Sequence, residues 1–166
     1  FTAGSFNTLK QHIGLNGRNN KTSYGINYTH TSADGFSSAY DSSGSGTFDK
    51  DGLNQHTVVA RLGFPLSKSI TADLTGTYNY YKTDLDAAAF TDERDFTATN
   101  QNKQFAAGLK HKHSKGAVRL NYHYNWLRRN YLDDSSHKSS PYVDYVKSNY
   151  IGKTQYWELL ANWQLT

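Results

Sequence analysis

Cysteine is absent from the 166 residues, which excludes disulfides and thiolate metal sites and leaves the redox compartment open. Methionine is absent too, so the chain shows no start residue and no signal peptide, and the expectation is a processed protein or an excised piece. No stretch approaches the roughly 20 apolar residues that a membrane-spanning helix needs. The net charge of +4 is dispersed as single Lys and Arg residues, which argues against a nucleic-acid surface. A mean hydropathy of −0.78 with 36% hydrophobic residues would suit a soluble or partly disordered chain. Yet aromatic residues make up 14%, and tyrosine alone contributes 13. A membrane β-barrel reconciles the two, because only every second strand residue must be apolar and its loops are polar.

What is present is alternation. Over 70–83, even positions read Ile70, Ala72, Leu74, Gly76, Tyr78 and Tyr80, while odd positions read Thr71, Asp73, Thr75, Thr77, Asn79 and Tyr81. A period of two with one apolar and one polar face is a strand wetted on one side. The apolar face grades from aliphatic to tyrosine, as a lipid-facing surface with an interfacial aromatic girdle does. The same pattern runs through 9–16, through 21–32 with Tyr24, Ile26, Tyr28 and His30, and through Val58, Ala60, Leu62 and Phe64 before Pro65. It returns with Phe105, Ala107 and Leu109, with Val118, Leu120, Tyr122, Tyr124 and Trp126, and with Trp157, Leu159, Ala161, Trp163 and Leu165.

Between these stretches short links (17–20, 65–69, 113–116) alternate with long polar ones (33–53, 84–101, about 128–150). Outer-membrane barrels alternate in this way, with short turns toward the periplasm and long loops outside. Tyr28, Tyr78, Tyr80, Tyr124, Trp126 and Trp157 are read as interface aromatics at the long-loop ends, and Trp163 as a further interface aromatic. The expected fold is all-β, an antiparallel transmembrane β-barrel with about eight strands present and residues 1–166 forming a single segment. Residues 1–5 are too short to pair along the whole last strand, which favours part of a larger barrel; a self-contained eight-stranded barrel with a structural or adhesive role is the alternative.

The run Thr2-Ala-Gly-Ser5, the strand ending Tyr28-Thr-His-Thr-Ser-Ala-Asp-Gly-Phe36, the loop with Ala39-Tyr40 and Asp49-Lys-Asp-Gly-Leu53, and Gly76-Thr-Tyr-Asn-Tyr80 followed by Asp84 and Asp86 form an ordered set. That set resembles the first barrel strands of TonB-dependent outer-membrane receptors, cobalamin receptors above all, over most of residues 1–110. The resemblance implies a 22-stranded barrel around a plug domain that is absent here. It also implies uptake of a scarce nutrient, cobalamin or a metal chelate, in the bacterial outer membrane. The implied partners are outer-membrane lipid, a TonB-type energy-coupling protein acting through the plug, a surface lipoprotein and a small-molecule substrate.

Candidate sites each have a plain counterpart. Asp49-Lys-Asp-Gly52 places two carboxylates two residues apart beside a glycine, as calcium loops do, although Asp-Gly is also ordinary turn chemistry. By analogy with the resembled receptors, Asp49 and Asp51 with Asp84 or Asp86 are the candidate calcium ligands. Lys10, Arg61, Asp73, Lys110, Lys112, Arg119, His123 and Glu158 are expected to face the lumen. This mostly basic wall could attract anionic substrates or meet an acidic plug, and a water-filled lumen needs polar residues in any case. His111 and His113 could ligate zinc or sit at the membrane interface. Asp133, Asp134 and His137 are the only carboxylate and imidazole cluster in a long loop, and no nucleophile turn stands beside them, so the expectation is a binding protein and not an enzyme.

Overall fold

The computed structural model describes residues 1–134 and 145–164. They form β1 (Thr2–Gly4), β2 (Thr8–Asn19), β3 (Thr22–Ala33), β4 (Leu53–Pro65), β5 (Ile70–Asp84), β6 (Phe96–His113), β7 (Gly116–Asp133) and β8 (Val146–Trp163), with no helix among the described residues. All eight strands lie in one antiparallel sheet in sequence order.

Local chemistry sets the hairpins. β2 continues through Gly17 and pairs Asn19 with Thr22, so the expected 17–20 turn narrows to Asn20 and Lys21. Asn20 has a φ of 53°, which asparagine tolerates better than most residues. At the next short link the Ser67 hydroxyl accepts the Ser69 and Ile70 amides, and Pro65 closes β4 because it cannot donate to a further ladder bond.

Two expected long loops are shorter than the alternation suggests. β6 begins at Phe96, β7 persists to Asp133 and β8 begins at Val146, so 96–101, 128–133 and 146–150 are strand. Thr97, Thr99 and Asn130 on one face and Asn100 on the other are all polar, which removes the amphipathic signal while leaving ladder pairing intact. β6, β7 and β8 therefore continue toward the long links over outer-face positions that are polar apart from Leu132 and Ile151, whereas β3 and β4 end a few residues beyond Tyr28 and Val58.

Register assembles the faces. Tyr24, Leu62, Leu74, Ala107, Tyr122 and Trp157 are successive partners across six strands, as are Ile26, Ala60, Gly76, Phe105, Tyr124 and Gln155. The apolar positions thus form one continuous surface on one side of the sheet, and Thr, Asn, Gln and charged residues predominate on the other, with Val59, Leu127 and Leu160 among them. Among the described residues nothing packs on the apolar side: Ile13 is 71% exposed, Leu159 68% and Trp157 67%, and the only buried hydrophobic residues are Ala39 and Ala98. Leu74, Leu120 and Leu159 share this face with no second layer above them.

The apolar segment also steps along the sheet. On β3 it centres on Ile26, which is level with Gln155, whereas on β8 it starts at Trp157 and runs to Trp163. A drift of about one residue per strand is the stagger that inclined barrel strands require. Among the described residues β1 pairs only with β2, and β8 only with β7, so both edges of the sheet stay open.

Candidate functional site

At the long-link end the loop 34–52 is pinned to the loop 85–95. The Asp86 carboxylate accepts the Ala39 amide at 2.6 Å and the hydroxyls of Ser37 and Ser38 at 2.9 and 3.0 Å through one oxygen, and the Glu93 amide at 3.0 Å through the other. Asp92 accepts the Asp49 amide at 2.9 Å, the Tyr40 amide reaches the Ala89 carbonyl at 2.7 Å, and Tyr40 meets Phe90 edge-on. Oxygens of Asp49, Asp86 and Asp92 come within 4.8 Å of one another.

Two of the four expected calcium ligands, Asp49 and Asp86, belong to this trio, and Asp51 lies beside it. Asp84 does not join, because β5 continues through it and the ladder sets its side chain on the face of Tyr80 and Lys82. Its place is taken by Asp92, which sequence spacing missed: the Ala88–Thr91 bridge folds that loop back on itself, and no local pattern announces it. A second acidic trio, Glu93, Asp95 and Asp133, joins the same loop to the end of β7. His137 lies outside the described residues.

Electrostatics separate the carboxylates. Burial pushes Asp49 up to about 6, helped by its hydrogen bond to Asp92 and by the charges of Asp92, Asp51 and Asp86. Burial raises Asp51 against the opposing bonds from Ser38, with the Asp86 charge adding to the rise. For Asp86 burial acts upward too, but the Glu93 and Ala39 amides and the Ser37 and Ser38 hydroxyls outweigh it and hold this carboxyl below its ordinary range. Asp41, at the exposed tip, is drawn down to about 2 by the Ser43 hydroxyl, the Gly46 amide and the Ser45 hydroxyl.

The eight charged residues expected to line a lumen all occupy the polar face. Four groups there form a chain: Arg119 grips both Asp73 oxygens at 2.8 Å and donates to Asn121 at 2.7 Å, and Asn121 donates to Glu158 at 2.8 Å. The Asp73 to Arg119 pair crosses over β6, and it can do so because Gly108 lies beneath it; a Cβ there would come within 2.5 Å of Arg119 Nη2 and 2.7 Å of Asp73. Gly108→Val should break the bridge and lower unfolding stability by only about 1 kcal/mol, since both partners are more than a third exposed. Denaturant titration beside the double variant Asp73→Asn, Arg119→Gln checks this, because the valine should cost little once the bridge is gone. His123 stacks on Tyr156 at 4.6 Å beside a 220 Å³ hollow that Thr75, Thr77, Gln104 and Asn125 help to line.

On the apolar face rings gather toward both margins. The Tyr28 hydroxyl meets His56 Nδ1 at 2.8 Å, His56 stacks on His30 at 4.6 Å and on Tyr80, and the Lys103 ammonium sits 4.8 Å above the Trp126 ring. At the short-link margin His113 packs on Trp163 at 4.4 Å and on His111. Register sets Tyr78 level with Tyr28 and with Lys103 and Trp126, Tyr124 lies one step further toward the short links, and Trp157 packs on Tyr122 at 4.7 Å.

No protein-family model matches the chain, and a search of curated proteins returns no match.

Proposed function

We propose that the chain forms part of the wall of an outer-membrane β-barrel, in an energy-coupled receptor that takes up a scarce nutrient, cobalamin or a metal chelate. The observation that carries this reading is the uncovered apolar face, continuous over seven strands, backed by a polar face and margined by aromatic rings. A sheet without a core gains too little from ladder hydrogen bonds to fold in water, so hydrocarbon must supply the missing apolar contact. Open strand edges cannot face lipid, so further strands would complete the wall. The work is binding and transport, with outer-membrane lipid, the energy-coupling protein acting through a plug, a surface lipoprotein at the loops and the small-molecule nutrient as partners.

All three tryptophans, Trp126, Trp157 and Trp163, lie on the apolar face. Acyl chains brominated at successive depths should quench all three after reconstitution into vesicles, and fluorescence indifferent to bromine would end the membrane reading. The receptor reading is tested by disrupting the gene in its host and following labelled cobalamin and ferric chelates under scarcity. Loss of one uptake is expected, and unchanged uptake of both would reject it.

Calcium is part of the proposal. Asp49 Oδ1 and Asp51 Oδ1 are buried with no hydrogen-bond partner, and a hard cation wants several such oxygens. Asp49, Asp86 and Asp92 with Asp51 would hold it, and its charge would tie the two loops together where a proton otherwise does. Because folding raises the Asp49 value from 3.8 to about 6, its contribution to loop pairing is full below the lower value and lost as pH rises through the upper. Proton and cation compete for the same oxygens, so calorimetry should find calcium binding about tenfold tighter near pH 7.5 than near pH 5. Asp49→Asn should flatten that difference.

A further inference from the structure

The outer surface of β5–β8, toward the long links from Tyr80, Phe105, Trp126 and Trp157, carries Lys82, Lys103, Arg128, Lys147 and Lys153, with Leu132 and Ile151 the two aliphatic residues among them. Register places Lys103 and Lys153 on either side of Trp126, with Arg128 one step further out on β7. None of the five forms an ion pair among the described residues, and the only carboxylate there on the same face of these strands is Asp84, at the margin beside Lys82. Thr97, Thr99, Arg128, Asn130, Lys147 and Asn149 help to line a cleft of about 310 Å³ at this surface. Arg128 donates to Asn149 at 3.3 Å and Asn130 to Thr99 at 3.3 Å, which holds the cleft's donors in place. The corresponding margin of β2–β4 has Gln11, His30, Ser32, Asn54 and His56 and no Lys or Arg. Ordinary snorkelling at an interface would distribute cations around the wall; here they collect on one side.

We propose that this surface binds the phosphate groups of a glycolipid headgroup in the outer leaflet, a proposal that rests on the membrane reading above. Lysine and arginine are the side chains that recognise phosphate, and threonine and asparagine add neutral donors for the sugar. The position fits a headgroup and not a diffusing solute: the Lys103 ammonium rests against Trp126, at the aromatic level that marks the boundary between hydrocarbon and headgroups.

The test reconstitutes the whole chain in phosphatidylcholine nanodiscs doped with bisphosphorylated lipid A or with its dephosphorylated form, and measures retained glycolipid by native mass spectrometry. Retention of the bisphosphorylated form should exceed the other by at least about tenfold. The variant Lys103→Gln, Arg128→Gln, Lys147→Gln should lose that preference, whereas Lys21→Gln, Lys68→Gln at the short-link end should keep it. Equal retention of both glycolipids, or a preference that survives the triple variant, overturns the proposal. So does displacement by inorganic phosphate at the same concentration, which would mark a site for the free anion. Bromine quenching on the same nanodiscs separates the two levels: a chain that inserts without preference sinks the headgroup proposal alone, and a chain that fails to insert sinks the membrane reading beneath it.

Discussion

Leu74→Arg should lower the unfolding free energy of the reconstituted protein by about 2–4 kcal/mol, while Thr77→Arg, three residues along the same strand, should cost less than about 1 kcal/mol. The contrast follows from parity. Leu74 lies near the centre of the β5 apolar segment, level with Leu62 and Ala107, and Thr77 lies on the opposite face between Val59 and Gln104. Arginine at the first position must carry its guanidinium into hydrocarbon or drag water to it, and at the second it stands on the polar face, where Thr75, Asn79 and Gln104 surround it and Val59 is the one apolar partner. If the apolar face were instead bathed in water, the two substitutions would behave alike and each stay within about 0.5 kcal/mol, as surface changes do. Denaturant titration of both variants in thin bilayers distinguishes the cases, and equal values would leave the sheet with no account of how it folds.

The second large effect is expected at Gly35. Its φ of 72° lies in the left-handed region, and a Cβ there would run into the Asp51 carbonyl oxygen, which is backbone and cannot swing aside. Gly35→Ala should therefore cost about 1–3 kcal/mol locally. Relief comes by parting the two ends of the loop 34–52, where the Asp51 amide donates to the Phe36 carbonyl. That motion carries Asp49 and Asp51 away from Asp86 and Asp92, so calcium affinity should fall by more than about tenfold while the sheet unfolds at its usual denaturant concentration. Gly44→Ala is the control: its φ is 65°, but nothing lies within 4 Å of the added carbon, so strain arises without a collision and binding should persist.

Strands were legible in the sequence wherever one face met apolar surroundings and the other did not, as in Ile70–Tyr80 or Val118–Trp126. They were hidden where apolar residues do not alternate: Thr97–Gln101 and Arg128–Asp133 hold their pairing through neighbours, and the isolated Ala98, Tyr131 and Leu132 mark no amphipathic face. Asp49 and Asp86 are marked by the Asp-Lys-Asp-Gly pattern and the likeness to receptor loops, whereas Asp92, in the same expected loop as Asp86, carries no such mark, since its approach to Asp49 depends on two loops folding toward each other across 43 residues. The bridge from Asp73 to Arg119 was hidden for a similar reason, as its span relies on the absence of a side chain at Gly108 on an intervening strand.

The polar continuation of β6–β8 has a geometric outcome. On the outer face β8 carries Lys147, Asn149, Ile151, Lys153 and Gln155 before Trp157, whereas β4 carries only Asn54 and His56 before Val58. At about 3.3 Å per residue the surplus is on the order of 20 Å or more along the strand. In a membrane-embedded wall the rim would slope, low over β2–β4 and raised like a parapet over β6–β8. Solutes arriving from the low side would find an open approach to the mouth, and large particles drifting in from the high side would be turned away before they reached it.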